Sequence, residues 1–184
     1  MLNAHWRSLA AIEGRAPEPL MSWLAEPGLL TARVRALCGD DMRFRLLAPL
    51  RPAALPGVLQ ARLAVADDVC LLREIEFRCG RSRVVFAQTV LPQSTVTQYP
   101  WLRDLGDAPL GETLRLADAP FDREPLEYAE LPRTDPLAAA ARDEPGNAAE
   151  MPLWARRAVY RLGTAPILVQ EVFLPALLEV QRRH

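Results

Sequence analysis

The sequence predicts an α+β fold, in which helices cover one face of an antiparallel β-sheet. Two hairpins carry this prediction, because in each of them two strand-like runs flank a short turn. The runs are 69–77 and 83–91 in the first hairpin, and 154–162 and 167–174 in the second. Strands joined by tight turns pair in the antiparallel sense. Apolar side chains at helical spacing at the start and in the middle of the chain predict the helices that cover the sheet.

The first part of the chain has apolar side chains at helical spacing over 4–14 and 18–37. The Glu-Pro-Gly segment at 26–28 interrupts the second stretch, so we expect a helix, a turn and another helix there. Residues 41–48 alternate between apolar side chains and Arg, which predicts a half-buried strand. A further short helix is expected at 101–105.

The chain has 184 residues, enough for one domain with a sizeable core, and we take 1–184 as that single domain. Residues 132–152 are rich in Pro, Ala and acidic side chains and contain no aromatic residue. We expect them to form a mobile surface insertion with a helical turn at 137–142.

Charge and cysteine content exclude several classes of protein. The formal net charge is -1, so no bulk field attracts nucleic acid or an acidic membrane, and no stretch is apolar for long enough to insert into a bilayer. Cys38, Cys70 and Cys79 fit neither a disulfide framework nor a zinc pattern, and we expect thiols in the reducing cytoplasm. Every basic side chain is Arg and none is Lys, so a bound anion would meet guanidinium groups.

The common catalytic and cofactor patterns are not found in the sequence. His5 and His184 lie at the two ends, so a Ser-His-Asp or Cys-His arrangement has no base, and no spacing of acidic residues indicates a metal site. Neither a Gly-x-Gly-x-x-Gly motif nor a P-loop occurs, and we expect no cofactor. Arg156 and Arg157 lack interleaved exposed aromatic residues, which favours a solvated segment over a nucleic-acid patch.

Two predicted strands each carry one charged residue on an otherwise apolar face: Arg73 in the first hairpin and Glu171 in the second. The face opposite Arg73, which carries Glu74 and Glu76, can meet water. Because an isolated buried charge is costly, each group needs a partner. Arg73 and Glu171 could pair with each other or lie near an edge. Alternatively they flank a cavity, where Arg73 takes a ligand carboxylate bidentately and Glu171 faces a hydroxyl at the ligand's other end.

Five segments resemble, in order, the motifs of one family, the chorismate pyruvate-lyases. Residues 70–75 (CLLREI) resemble its W-L-R-E-I strand, 87–95 (AQTVLPQST) its R-T-V-x-P-x-S-T strand end, and 109–111 (PLG) its P-L-G turn. Residues 153–157 (LWARR) resemble its L-W-x-R-R segment, and 168–175 (LVQEVFLP) its L-x-x-E-x-F-L-P end. The order and rough spacing hold over most of the chain.

The resemblance implies a cofactor-free lyase that converts chorismate into 4-hydroxybenzoate and pyruvate, the first step of the ubiquinone ring pathway. It also implies an antiparallel sheet of about six strands, with a helix-turn-helix flap that closes over a buried ligand. By the same resemblance Arg73 and Glu171 are the catalytic residues: Arg73 holds the ring carboxylate and Glu171 contacts the oxygen that becomes the phenol. The backbone at Leu110 touches the carboxylate end, and Leu30 covers the ring. We expect a monomer that has only chorismate and 4-hydroxybenzoate as partners.

The chain departs from the family where Gln88 replaces a usual Arg, so a secondary anion contact is lost, and where the 132–152 segment is unusually long. Three alternatives stay open. The chain could be a non-catalytic domain that binds a small acid, as do effector-sensing domains of transcription regulators with this fold. It could be a family member that has lost catalysis or makes another product, or Arg73 and Glu171 could form only a core ion pair.

Overall fold

Eight strands join into one antiparallel sheet in the computed structural model, which describes residues 4–116, 120–142 and 152–183. The strands are β1 (Met42–Leu46), β2 (Arg51–Ala54), β3 (Val69–Cys79), β4 (Ser82–Pro92), β5 (Phe121–Arg123), β6 (Glu127–Leu131), β7 (Leu153–Leu162) and β8 (Ala165–Phe173). Their order across the sheet is β1-β3-β4-β8-β7-β5, with β2 also paired to β3 and β6 to β7. The two long hairpins therefore form the centre of the sheet.

Helices pack on both faces of this sheet. They are α1 (Glu18–Leu24), α2 (Leu30–Cys38), α3 (Gly57–Leu63), α4 (Gln93–Gln98), α5 (Leu110–Leu116), α6 (Pro136–Ala141) and α7 (Pro175–Gln181). Helices α1, α2 and α7 share an apolar cluster with Ile75 and Phe77 of β3, and α5 packs beside Leu71 of the same face. On the opposite face, α3 packs against Cys70 and α6 against Phe86.

The predicted α+β class, the antiparallel sheet and both hairpins are confirmed, and so are the two helices around the Glu-Pro-Gly turn. The prediction differs from the structure in detail, because the sheet has eight strands and the helices cover both of its faces. The added strands β2, β5 and β6 have three to five residues each. Runs of three or four residues, as in β5 and β2, are too short for an alternation of side chains to stand out. In β6 the apolar residues Tyr128 and Ala129 are adjacent, so no alternation occurs there.

The helix expected at residues 4–14 is wrong. Only Leu9–Ala11 forms a single 3₁₀ turn, and Arg7 instead exchanges two backbone hydrogen bonds of 2.8 Å with Tyr128 of β6. Pairing with an exposed strand edge satisfies backbone groups that a short isolated helix would leave to water.

The face of β3 opposite Arg73 was expected to meet water, and this is also wrong. Glu76 on that face is fully buried, with its Oε2 2.9 Å from the Nε of Arg83 and its Oε1 3.1 Å from Nη1 of Arg78. Helices on the second face leave such a carboxylate buried, and neighbouring guanidinium groups offset its desolvation.

The first part of the predicted 132–152 insertion is packed. Asp135 caps the start of α6, because its Oδ1 accepts a 2.9 Å hydrogen bond from the backbone N–H of Leu137. Leu137, Ala138 and Ala141 are buried against the sheet. Residues 143–151 of the expected mobile segment lie outside the described residues.

Cys38 and Cys79 form a disulfide, which corrects the expectation of free thiols. The bond joins the end of α2 to the end of β3, whose Cα atoms are 5.3 Å apart although 41 residues separate the two positions. Cys70 is a buried free thiol. The chain positions alone could not reveal this pair, because the pairing of β1 with β3 is what brings Cys79 beside the end of α2.

No helix in the described part of the chain is long and apolar enough to cross a membrane.

The disulfide predicts a redox-dependent stability. Without reductant, the denatured protein should show one titratable thiol, and with reductant three. Replacing Cys38 by Ser should lower the free energy of unfolding by about 4 kcal/mol in the oxidised protein, because the closed loop restricts the unfolded chain. Denaturant titration measures this difference, which should vanish when both proteins are reduced. A loss of the same size under reducing conditions would mean that Cys38 contributes through packing alone.

Candidate functional site

The register of the four central strands brings the predicted site residues to one face. Ile75 of β3, Ala87 of β4, Glu171 of β8 and Arg156 of β7 stand side by side as successive cross-strand partners. Arg73 belongs to the next row on the same face, since it lies two residues before Ile75. Arg73 and Glu171 are therefore two strands and one row apart, with their Cα atoms separated by about 12 Å.

A cavity of about 50 Å³ lies between these two residues, under the helices. Its lining includes every predicted site residue, namely Arg73, Glu171, Leu110 and Leu30, together with residues of β1, β4, β7 and the turns before α2 and α5. Arg73 and Glu171 therefore do not form an ion pair with each other in a closely packed core. Pockets that hold whole small molecules are several times larger, so a ring-sized ligand can enter only if the covering segments shift.

Arg73 is buried, and no ion pair ties it to a carboxylate of the described residues. Its Nε and Nη2 donate hydrogen bonds to the backbone oxygen of Gly106, and Nη2 also donates to that of Ala108 at 2.6 Å. Burial lowers the pKa of Arg73 to about 10, an effect that the charge of Asp107 partly opposes. At neutral pH the group is thus a desolvated cation that an anionic ligand would stabilise.

Glu171 pairs with Arg156 and not with Arg73. The Nε of Arg156 donates to Oε2 of Glu171 at 2.5 Å. The other carboxylate oxygen, Oε1, has no hydrogen bond to any group of the described residues, and the side chain is 18% exposed on a cavity wall. One oxygen is anchored and the other is available to a ligand.

Residues 18–38, which comprise α1, the turn and α2, form a flap over the cavity. Glu26 holds the turn, since its Oε1 accepts a 2.8 Å hydrogen bond from the backbone N–H of Gly28 and its Oε2 lies 3.2 Å from Nη1 of Arg33. Arg156 donates to the backbone oxygen of Glu26 at 2.7 Å. Arg123 donates to that of Pro27 at 3.0 Å. Arg156 and Arg123 of the sheet therefore hold the turn in place through hydrogen bonds to its backbone.

A second covering segment is the start of α5, which meets the flap at a glycine. A Cβ on Gly111 would lie 2.6 Å from Cδ2 of Leu29 in the turn, so glycine permits this close approach. Leu110 and Leu30, each at the first position of its helix, are both buried and line the cavity. The roles predicted for these two residues remain predictions.

Sequence reasoning missed Arg156 and Tyr160. Arg156 was expected to be solvated, yet it is only 2% exposed and pairs with Glu171. Tyr160 lines the cavity, and burial, together with the charge of Glu171, raises its pKa. The alternation of β7 contained the signal, because Arg156 is the one charged residue on a face of the strand that otherwise carries Trp154, Ala158, Tyr160 and Leu162.

Gln88 lies on the other face of the sheet. It donates to Oε1 of Glu74 at 2.8 Å and accepts from Gln170 at 3.2 Å. It lines a second, larger cavity of about 580 Å³ there. The departure at Gln88 therefore leaves the lining around Arg73 and Glu171 unchanged. Among the residues that the structure describes, no group of His, Cys, Asp and Glu could hold a metal ion.

The fold is shared with a solved effector domain. The effector domain of PhnF from Mycobacterium smegmatis aligns with a TM-score of 0.53 at 19% identity, over 81% of this chain and 90% of that domain. At this identity the likeness concerns the fold alone.

Sequence comparison identifies the family. The chorismate lyase family model matches residues 1–183. A protein of Aromatoleum aromaticum named "Probable chorismate pyruvate-lyase" is 38% identical over 179 residues, with 90% of each chain covered. A protein of the same name from Azoarcus sp. is 38% identical over 168 residues, which are 89% of this chain and 87% of the relative. The chain belongs to the chorismate lyase family.

The buried cation predicts that a small aromatic carboxylate stabilises the protein. Benzoate at 100 times its Kd should add about 2.7 kcal/mol to the free energy of unfolding and raise Tm by roughly 5–10 °C. Replacing Arg73 by Leu should abolish this rise. Replacing the exposed Arg43 by Ala should leave it intact. Thermal unfolding of all three proteins measures the rise in Tm that benzoate causes. An unchanged rise in the Arg73 variant would exclude Arg73 as the anion contact.

Proposed function

We propose that this protein is a chorismate pyruvate-lyase, which converts chorismate into 4-hydroxybenzoate and pyruvate. The observation that carries the proposal is the pair of charged groups on opposite walls of one closed cavity, Arg73 without a carboxylate partner and Glu171 with a free oxygen. Membership of the chorismate lyase family and the names of the relatives support the same reaction.

Arg73 binds the ring carboxylate of the substrate. Its Nη1 makes no hydrogen bond with the described residues, so this nitrogen can donate to an anion while Nε and Nη2 keep their bonds to Gly106 and Ala108. A bidentate contact would require one of those backbone bonds to yield. Because the group is already desolvated, a charge-assisted hydrogen bond formed here is stronger than one in water.

Glu171 acts on the far side of the ring. Because its Oε2 is ion-paired with Arg156, we assign to Glu171 the role of a proton acceptor. In the reaction the ring C3–O bond breaks, the proton on C4 leaves, and the released enolpyruvate takes up a proton and becomes pyruvate. We assign the proton from C4 to Oε1 of Glu171, and the adjacent 4-hydroxyl, which becomes the phenol, lies next to the same oxygen.

The remaining lining excludes water and orients the ring. Leu30 and Val169 are apolar walls of the cavity, and the flap closes it from above. Because aromatisation supplies the driving force, orientation and placement of charge suffice to accelerate the reaction without a cofactor. By the same proposal the protein is a cytoplasmic monomer that supplies the ubiquinone ring pathway.

A second function is a domain that binds a small acid without converting it. The fold shared with the PhnF effector domain favours this alternative, because the same fold serves there in an effector domain. Saturable binding of chorismate without formation of 4-hydroxybenzoate would support it.

The test of the lyase proposal is incubation with chorismate, with chromatography of 4-hydroxybenzoate as the measurement. Replacing Arg73 by Ala removes a buried charge contact worth about 2–5 kcal/mol and should lower kcat/KM roughly 30- to 5,000-fold. Replacing Glu171 by Gln removes the base and should lower kcat roughly 100- to 10,000-fold.

Matched controls come from exposed residues of other strands. Arg43→Ala in β1 and Glu130→Gln in β6 remove the same charges at exposed positions, and their rates should stay within about twofold of the parent. Near-parental turnover by the Arg73 or the Glu171 variant would refute the corresponding assignment, and a parent protein without product would refute the reaction.

A further inference from the structure

One buried guanidinium contacts both the candidate base and the flap. Arg156 of β7 is directly opposite Glu171 of β8 in the sheet, where facing side chains are close enough to interact. Its Nε holds Oε2 of Glu171 at 2.5 Å. Its Nη1 donates to the backbone oxygen of Glu26 at 2.7 Å, with those of Trp23 and Leu24 each at 3.4 Å.

The flap contacts of Arg156 are at the end of α1. Carbonyl groups in the last turn of a helix lack an N–H donor from the regular helix. A cation placed there also interacts favourably with the helix dipole. The guanidinium therefore supplies a donor to the backbone oxygens of Leu24 and Glu26, which the closed flap would otherwise bury without a partner among the described residues. If the flap lifts, Arg156 loses these acceptors, and nothing in the flap then holds its guanidinium in the direction that faces Glu171.

The Glu171 contact fixes the direction of the free oxygen. With Oε2 held by Nε, the carboxylate has one orientation in which Oε1 remains unbonded on the cavity wall. An unanchored carboxylate would rotate about its terminal torsion, which has a broad energy profile. The planar fork of Arg makes both contacts from fixed directions, whereas the single ammonium of Lys cannot.

From these contacts we propose that Arg156 is a positioning residue, which orients Glu171 only when the flap is closed over the cavity. Closure of the flap and alignment of the base then depend on one side chain. The kinetic consequence of this inference rests on the proposed lyase function, but the coupling between Glu171 and the flap does not.

The kinetic test compares Arg156→Lys, Glu171→Gln and the double variant. Arg156→Lys keeps the charge and should lower kcat roughly 10- to 100-fold, as loss of an orienting partner does, with a smaller change in KM. The double variant should be no slower than Glu171→Gln, because Arg156 acts through Glu171. Losses that multiply in the double variant would overturn the proposal, since a purely structural role predicts independent effects.

Arg157→Lys is the matched control. Arg157 is the next residue on β7, points to the other face, is also buried, and pairs through Nε with Oε2 of Glu127 at 2.9 Å. The same substitution there alters a similar buried ion pair without touching the cavity, so its kcat should remain near that of the parent. A loss equal to that of Arg156→Lys would show that any disturbance of β7 slows the reaction and would overturn the assignment.

Hydrogen exchange of the flap amides tests the coupling without turnover. Glu171→Gln, which keeps Arg156, and Arg156→Lys should both raise exchange in residues 18–38 roughly fivefold or more, while Arg157→Lys should not. Unchanged exchange in Glu171→Gln would overturn the proposal even if Arg156→Lys failed to fold. A parent protein without lyase activity would refute the proposed function alone, and the exchange result would still decide the coupling.

Discussion

The register between β3, β4, β8 and β7 determines where every charged side chain of the candidate site lies. Side chains alternate between the faces of a strand, so a slip of one residue would move Arg73 or Glu171 to the opposite face. The long hairpins prevent such a slip, because each pairs nine or more residues and closes on a turn with a glycine at positive φ, Gly80 in one and Gly163 in the other. The site is therefore as rigid as the centre of the sheet.

The charges of the cavity are unbalanced by one. Arg73 and Arg156 bring two positive charges to its lining, and Glu171 brings a single negative one. Burying this excess cation costs desolvation free energy. Backbone oxygens and the more distant charge of Asp107 recover part of that cost. The surrounding apolar clusters offset this cost. A ligand with one carboxylate would restore the balance, and the selectivity for acids that the proposed function requires would follow from this difference in charge.

The parts of the fold that were predictable from sequence are those with a long local pattern. Eleven residues of β3 show the strand alternation plainly, and one charge in that pattern was enough to single out Arg73. The disulfide of Cys38 and the edge pairing of Arg7 depend on which strands are neighbours, which no local pattern contains. Arg156 shows an intermediate case. Its strand was predicted, but a charge beside another charge, Arg157, suggested solvent, although alternation sends the two to opposite faces.

The open antiparallel sheet with its covering helices does not by itself separate binding from catalysis. The PhnF effector domain has the same fold, so the difference must lie in particular side chains. Arg73 alone would make a receptor for acids. A base becomes useful only when its free oxygen is held toward the ring, and in this chain Arg156 contacts both the carboxylate of Glu171 and the flap, so the positioning proposed for it would link the two. A domain of this fold could thus gain or lose a reaction through the β7–β8 ion pair while its ability to bind a carboxylate through β3 remained.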